Sequence, residues 1–309
     1  MTPVETILPP VSTPVTRPRI GWPLAAGAAG MAFVGGSVAV SGTLADAPMF
    51  TVQALRYALA CVLLVGFARV TGTRLRAPRG AEWLWLLGVT AAGLVAFNIA
   101  LVRGAEHAEP AVLGVAVACV PILFAVLGPM LERRRPSRIV VLAALVVTAG
   151  AGLVQGIGRS DAAGLGWAAV VLACEAAFTL LAVPVLGRHG PVGVSVHATW
   201  LAVLMFGVLA VAVEGPTATA RLSGTDLLAG GFLAVLVTAV AFVLWYTSVR
   251  RLGAGRAGLL TGIAPIAAGV TGVLLGGPLP GPLVWAGVAL VAVGLTLGLR
   301  PERDSGHHR

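Results

Sequence analysis

The sequence predicts an all-α membrane protein whose ten transmembrane helices form two inverted five-helix repeats. Three observations lead to this prediction. The 309 residues are 58% hydrophobic and only 11% charged, with a mean hydropathy of +0.95, which leaves too little polar surface for a water-soluble domain. Ten apolar stretches approach the length of about 20 residues that a helix needs to cross a bilayer. Arginine is concentrated in alternate loops between those stretches.

The ten apolar stretches predict helices and not the strands of a barrel. They are long and lack the alternation of apolar and polar residues that marks a transmembrane strand. A helix also satisfies its own backbone polar groups, as lipid requires. The expected spans are residues 22–41, 50–70, 83–102, 111–131, 139–158, 165–186, 192–213, 227–249, 257–275 and 283–299.

The placement of arginine predicts the orientation of the chain. Seventeen of the twenty-one arginines precede the first span or follow spans two, four, six, eight and ten. Of the others, Arg103, Arg159 and Arg221 lie in the opposite loops and Arg56 lies within a span. By the positive-inside rule, both termini are expected in the cytoplasm. Membrane topology therefore accounts for the net charge of +9, and no nucleic-acid partner is expected.

Residue usage excludes several classes of membrane protein. The sequence contains no lysine, which excludes a P-loop ATPase, a retinal Schiff base and a pyridoxal enzyme. The cysteines Cys61, Cys119 and Cys174 lie singly in apolar spans and are interpreted as small core residues. No cofactor and no metal site are expected.

The chain divides into four expected segments. Residues 1–20 contain five prolines and no apolar run, which predicts a disordered cytoplasmic leader and not a cleaved signal peptide. Residues 21–158 and 159–299 are the two expected five-helix repeats. Residues 300–309 form a polar cytoplasmic tail.

An internal similarity indicates that the two halves arose by duplication. Residues 111–132 and 255–277 share a central Pro-Ile pair at Pro121 and Pro265, which are 144 residues apart, and an Ala-Phe pair precedes each segment. Five spans is an odd number, so the second half enters the membrane from the opposite side. Inverted repeats of this kind are typical of secondary transporters, whose substrate site lies near the midplane between the halves.

Several of these features together resemble one family. The ten spans, the cytoplasmic ends, the five-helix duplication, the arginine of QALRYALA (residues 53–60) and the string PILFA that precedes LER (residues 121–133) are similar to the EamA-type transporters of the drug/metabolite transporter superfamily. The resemblance implies a multi-pass protein of the bacterial plasma membrane. It also implies an exporter of small organic metabolites or drug-like compounds.

Glu175 is the first candidate for a functional side chain. It lies about ten residues into the sixth span, which is about 15 Å deep and near the midplane. A charge there costs roughly 2.5 to 3.5 kcal/mol, and desolvation favours the neutral acid, so this carboxyl can exchange a proton for a cationic substrate. The string LACEAAFTLL also resembles the first helix of small multidrug resistance transporters, in which a glutamate binds protons and cationic drugs. The alternative is a structural glutamate.

Arg56 is the second candidate, one helical turn from Gln53 on the same face of span two. Its guanidinium can grip a substrate carboxylate bidentately or balance Glu175. The alternative is a packing arginine that snorkels outward or binds carbonyls of span one. The resemblance favours that alternative, because the family has a recurrent structural arginine at this place.

Other polar and aromatic residues within the spans are weaker candidates. Aromatic rings away from the interfaces can line a cavity and attract cations, although packing explains them equally well. The candidates are Asn98, His197, Trp200, Trp245 and Tyr246. Pro121 and Pro265 are expected as bend points of spans four and nine, or as inert kinks.

The leading hypothesis is a proton-coupled or gradient-coupled secondary transporter that works by alternating access. Its expected partners are a small-molecule substrate, protons or another coupling ion, and membrane lipid, and it is expected to be a monomer or a homodimer. An intramembrane enzyme with a site assembled from separate helices stays open, although no His-Glu-x-x-His or Gly-x-Ser-x-Gly motif is present. A passive channel or scaffold also stays open.

Overall fold

The computed structural model of the protein describes residues 21–277 and 279–300. The expected leader (residues 1–20) and residues 301–309 of the expected tail lie outside this range. Over the described residues the fold is helical and contains no strand, apart from one isolated bridge between Ala108 and Ser160. The predicted all-α fold is therefore confirmed.

Nine of the described helices are long and apolar enough to cross a membrane. They are α1 (Gly21–Gly42), α2 (Met49–Val70), α3 (Glu82–Ala105), α4 (Pro110–Leu131), α5 (Arg138–Gln155), α6 (Ala162–Leu180), α7 (Val183–Glu214), α8 (Gly224–Leu252) and α9 (Ala254–Leu274). A shorter apolar helix of 17 residues, α10, spans Pro282–Gly298. One turn of 3-10 helix, Ala218–Arg221, lies between α7 and α8.

The expected boundaries on either side of α6 were wrong, and the seventh span begins at Val183 and not at residue 192. The sixth span was expected to end at residue 186, but α6 ends at Leu180 and the chain turns at once into α7. Near its start, α7 contains Gly190, whose φ of 69° and ψ of 172° are not helical. The fifth span was expected to end at residue 158, but α5 ends before Gly156, which has a φ of 79°. Both turns lie in apolar sequence, where hydropathy gives no signal for them.

Irregular segments recur at corresponding places in the two halves. α3 contains a π-helical segment, Ala91–Ala96, and α8 contains another, Leu233–Val240. α4 is interrupted at Cys119, two residues before Pro121. α9 contains a 3-10 turn, Leu260–Gly262, that ends three residues before Pro265.

The main helix pairings also correspond between the halves. α1 packs on α8 and α9, and α6 packs on α3 and α4 in the same way. α2 packs on α7, α4 on α9 and α5 on α10, so each of these helices contacts its own counterpart. One pairing departs from the pattern, because α7 packs against α8 and α2 makes no comparable contact with α3. The halves therefore interlock through equivalent helices.

Small residues allow these helices to approach closely. A Cβ atom added at Gly150 of α5 would lie 2.7 Å from the carbonyl oxygen of Gly287 in α10, and one added at Gly287 would lie 2.6 Å from the carbonyl oxygen of Gly150. A Cβ atom added at Gly258 of α9 would lie 2.6 Å from Phe124 Cβ of α4. The backbones of α5 and α10 are thus in contact, and the backbone of α9 lies against the Phe124 side chain, as is typical of small residues in membrane helices.

Candidate functional site

Arg56 is the eighth residue of α2 and is held by three contacts. Its Nε donates a hydrogen bond to Thr238 Oγ1 of α8 at 2.8 Å, and its Nη1 lies 3.4 Å from Gln53 Oε1. The central guanidinium carbon is 5.4 Å from the centre of the Tyr57 ring. Among the described residues, no carboxylate forms an ion pair with Arg56. The guanidinium is therefore fixed in position while its charge is not balanced by an acid.

A chain of side-chain amides continues from Arg56 into α3. Gln53 Nε2 donates to Asn98 Oδ1, and Asn98 Nδ2 donates to the carbonyl oxygen of Leu94 at 2.7 Å. Leu94 lies in the π segment of α3, and Thr238 lies in the π segment of α8. The polar chain centred on Arg56 therefore joins three helices and begins and ends in the two irregular segments.

Glu175 is the fourteenth of the nineteen residues of α6 and lies five residues before its end at Leu180. This corrects the expected position near the middle of the span, because α6 begins earlier and ends earlier than the hydropathy indicated. The carboxyl is partly buried. It has no hydrogen-bond or ion-pair partner among the described residues.

Trp245 and Tyr246 attach α8 to α6 beside Glu175. Trp245 Nε1 donates to Thr179 Oγ1 at 2.8 Å, and the Tyr246 hydroxyl donates to the carbonyl oxygen of Phe178 at 3.0 Å. Both rings are buried. The Phe178 and Tyr246 rings lie 5.2 Å apart between centres. Aromatic surface therefore lies next to the acid, and the polar atoms of Trp245 and Tyr246 are already engaged by α6.

Arg56 and Glu175 do not form an ion pair. Arg56 bonds to Thr238 of α8, and Glu175 lies three residues before Phe178, whose carbonyl oxygen accepts the hydrogen bond of Tyr246, also in α8. Thr238 and Tyr246 are eight residues apart, which corresponds to about 12 Å along a helix. The two candidates thus lie near separate places along α8.

His197 and Trp200 bind each other and the loop after α2. His197 Nε2 lies 2.9 Å from the carbonyl oxygen of Arg76, and Trp200 Nε1 donates to His197 Nδ1 at 3.1 Å. The Trp200 ring meets the Trp83 ring edge-on at 6.0 Å. Both ring nitrogens of His197 are therefore engaged, and the pair has no hydrogen bond to Arg56 or Glu175.

A buried charged cluster beside His197 was missed by the sequence analysis. The Glu82 carboxylate accepts hydrogen bonds from the backbone N–H of Arg79 at 2.8 Å, from the Arg188 guanidinium, and from His189 Nε2 at 3.2 Å. The His189 side chain is fully buried and meets the His197 ring edge-on. The cluster joins the start of α3 and the loop before it to the part of α7 that precedes the kink at Gly190. Its only local signal was an acid at the start of a helix, a common and unspecific feature.

Glu214 joins the last turn of α7 to the first turn of α2. Its carboxylate accepts hydrogen bonds from the backbone N–H of Phe50 at 2.7 Å, the backbone N–H of Thr51 at 2.9 Å, and the Thr51 hydroxyl at 2.6 Å. Unpaired N–H groups at a helix start favour such an anionic acceptor. Glu214 therefore acts as a cap of α2.

Two ion pairs join the loop after α3 to the loop after α5. Arg159 Nε lies 2.7 Å from Glu109 Oε1, and the Arg159 guanidinium lowers the pKa of the Glu109 carboxyl. His107 Nδ1 lies 3.0 Å from Asp161 Oδ2. The backbone N–H of Gly164, followed by His107, holds the pKa of Asp161 below its ordinary value.

The two candidate bend prolines lie just after the helix irregularities. Pro121 follows the interruption of α4 at Cys119, and Pro265 follows the 3-10 turn of α9. Thr261 Oγ1 donates to the carbonyl oxygen of Gly258 at 2.8 Å within that turn. A threonine hydroxyl therefore satisfies one of the carbonyls near the proline, as membrane helices commonly require.

Two cavities of the structure are not lined by either charged candidate. An apolar cavity of about 440 Å³ lies between α3 and α7 and is lined by Ala91, Val95, Leu204, Met205, Val208 and Leu209. A polar cavity of about 330 Å³ lies near the start of α2, where its charged lining residues are Asp46, Glu214 and Arg221. Neither is lined by Arg56 or Glu175. Within the described residues, no group of three His, Cys, Asp or Glu side chains could hold a metal ion.

Known proteins similar to this chain are transporters. The profile of the EamA-like transporter family matches it twice, over residues 21–155 and 162–300. The uncharacterized transporter YetK of Bacillus subtilis (strain 168) is 26% identical over 260 residues, which cover 81% of this chain and 79% of the relative. A probable terminal-alkyne amino-acid exporter of Streptantibioticus cattleyicolor is 27% identical over 264 residues, covering 82% and 87%. A solved crystal structure with 18% identity superposes with a TM-score of 0.76 over 90% of this chain and 97% of that one, which supports the fold alone.

Proposed function

This chain belongs to the EamA-like transporter family and is a multi-pass membrane transporter, and we propose that it exports small organic metabolites that carry a carboxylate. The observation that carries this proposal is the Arg56 guanidinium, which Thr238 and Gln53 hold in place without an acid partner. Amino acids are the leading class, because the Streptantibioticus relative is named as an amino-acid exporter.

A substrate carboxylate is the natural partner for Arg56. An unbalanced charge in a membrane helix carries a free-energy cost, and a carboxylate that binds the guanidinium offsets it. Planar guanidinium and carboxylate groups form two parallel hydrogen bonds, which fix orientation as well as affinity. Arg56 is thus the proposed anchor for the acidic end of the substrate.

Glu175 is the proposed proton-coupling residue. Its carboxyl lacks a hydrogen-bonding partner among the described residues, and its helix carries Phe178 one turn further on. The α8 residues near the two candidates, Thr238 and Tyr246, are about 12 Å apart along that helix, which supports separate places for substrate and proton. A membrane potential of 100 mV supplies about 2.3 kcal/mol per charge moved, or roughly a fiftyfold concentration ratio.

Two inverted halves that alternate access are the proposed architecture. The family profile matches the chain twice, and the main helix pairings are preserved when the halves are exchanged. The Glu82 to Arg188 contact joins the start of α3 to the start of α7, whereas the Glu109 to Arg159 contact joins the loops after α3 and α5. Each contact therefore lies on one side of the membrane, and with the positive-inside rule they support cytoplasmic termini. The proposed repeats cover residues 21–158 and 159–299, and the proposed location is the bacterial plasma membrane.

Proton coupling is tested by Glu175→Gln in proteoliposomes. We expect wild-type protein to accumulate substrate in vesicles whose lumen is acidic. In the fraction of protein that is inserted inside-out, protons leave the lumen as substrate enters it. The glutamine variant is expected to lose this dependence on the pH gradient and to keep exchange of labelled for unlabelled substrate. Glu106→Gln, at an exposed loop acid that pairs with Arg103, is the matched control. Wild-type coupling in Glu175→Gln would refute this role.

The substrate class is tested with pairs of compounds that differ only in the carboxylate. Phenylalanine, leucine and histidine are each compared with the amine that remains after decarboxylation. We expect the wild type to prefer at least one amino acid over its amine, and Arg56→Gln to lose that preference. Equal transport of acid and amine by wild type and variant would overturn the assignment of Arg56.

A further inference from the structure

Thr238 differs from several other threonines within the helices. The hydroxyls of Thr90, Thr199 and Thr247 each donate to a carbonyl four residues earlier in their own helix, at 2.9, 2.9 and 2.6 Å. In the described part of the chain, Thr238 makes no such bond, and its Oγ1 accepts the hydrogen bond from Arg56 Nε at 2.8 Å. The side chain is fully buried. Its hydroxyl oxygen therefore bonds to the guanidinium and not to its own helix.

Thr238 lies in the π segment of α8. A π-helical turn pairs each N–H with the carbonyl five residues earlier. Leu94, 144 residues before Thr238, lies in the π segment of α3, and its carbonyl anchors the amide chain from Asn98 through Gln53 to Arg56. Arg56 is thus held between corresponding positions of two irregular segments.

We propose that Thr238 is a positioning residue that determines which N–H groups of Arg56 are left to bind a substrate carboxylate. This inference rests on the proposed function. A guanidinium has five N–H donors and can bind a carboxylate along its Nε side or across its end. Thr238 occupies Nε, and one Nη1 hydrogen faces Gln53. The end formed by Nη1 and Nη2 remains for the substrate.

Thr238→Val tests this role because valine keeps the shape of the side chain and removes the hydroxyl. A hydrogen bond to a charged group is worth about 1.5 to 3 kcal/mol, so we expect KM for the transported amino acid to rise roughly tenfold or more. KM for the corresponding amine should not change, since the amine does not use Arg56. Thr238→Ser keeps the hydroxyl and should restore the low KM.

Thr247→Val is the matched control on the same helix. Its hydroxyl bonds only to its own helix, so its loss should leave the ratio of the two KM values unchanged. Thermal melting of each purified variant shows whether it is folded. If Thr238→Val does not reconstitute, Thr238→Ala and Thr238→Ser provide the comparison without and with the hydroxyl.

The same experiment separates the two proposals. If Arg56→Gln abolishes the preference for the acid while the variants that lack the Thr238 hydroxyl retain wild-type KM values, the positioning role is overturned and the substrate assignment stands. If Arg56→Gln leaves the preference unchanged, both fail. If Thr238→Val raises the KM of acid and amine equally, its effect is general packing, and the positioning role is overturned.

Discussion

Gly150 and Gly287 bring the backbones of α5 and α10 into direct contact. Each glycine would place an added Cβ atom less than 3 Å from the carbonyl oxygen of the other. We expect Gly150→Ala to destabilise the protein by about 1 to 3 kcal/mol through overpacking. The measurement is unfolding of the purified protein in detergent.

Gly152→Ala is the control for that change. It lies in the same helix, and an added Cβ atom there meets nothing within 4 Å. Both substitutions carry the same gain in helix propensity, so the difference between them isolates the contact with α10. Equal stability of the two variants would contradict the close approach.

The Glu82 cluster predicts a second stability difference. Glu82→Gln leaves Arg188 and His189 without a carboxylate, and the side chains of all three are largely buried. Removing one partner of a buried ion pair lowers the free energy of unfolding more than removing one partner of an exposed pair. We expect a lower Tm than for Glu106→Gln, whose pair with Arg103 is exposed. A Tm ranking in the opposite order would count against the cluster.

Asp161 predicts a pH dependence of stability. Its lowered pKa, which the Gly164 N–H and His107 cause, means that the unfolded chain binds a proton more readily than the folded one. Its contribution is therefore full above its ordinary pKa of 3.8 and is lost as the pH falls through the lowered pKa. Asp161→Asn should lower Tm at neutral pH, and this difference should shrink in acid. Asp46→Asn, at an acid without a hydrogen bond among the described residues, should show neither effect.

Labelling tests the inverted halves directly. Thr73, after α2, and Thr217, after α7, are exposed loop residues 144 positions apart and thus correspond in the two halves. After replacement of the three native cysteines, we expect Thr73→Cys to react with an impermeant thiol reagent only in opened cells. Thr217→Cys should react in intact cells. Labelling of both from the same side would rule out inversion.

The fold could be predicted largely from hydropathy and arginine placement. Errors arose where an apolar stretch contains a turn, as between Leu180 and Val183, because hydropathy measures solvent preference and not backbone direction. The π segments were also invisible, since their sequences are as apolar as the helices that contain them.

The candidate site was predicted in part. Spacing alone placed Gln53 and Arg56 on one helix face, and the structure joins them to Asn98. Thr238 was missed because a single threonine in an apolar span gives no local signal. His197 and Trp200 were candidates for lining a cavity, but Trp200 bonds to His197 and His197 bonds to a loop carbonyl, a contact that helical periodicity does not predict.

The Glu214 cap has a mechanical consequence for Arg56. It fastens the first turn of α2 to the end of α7, and stacked rings of Tyr57 and Phe206 tie the same helices together further along. We expect α2 and α7 to keep their relative position during transport. Arg56 would then stay where it is during the transport cycle, and the neighbouring helices would swing to open it to one compartment or the other.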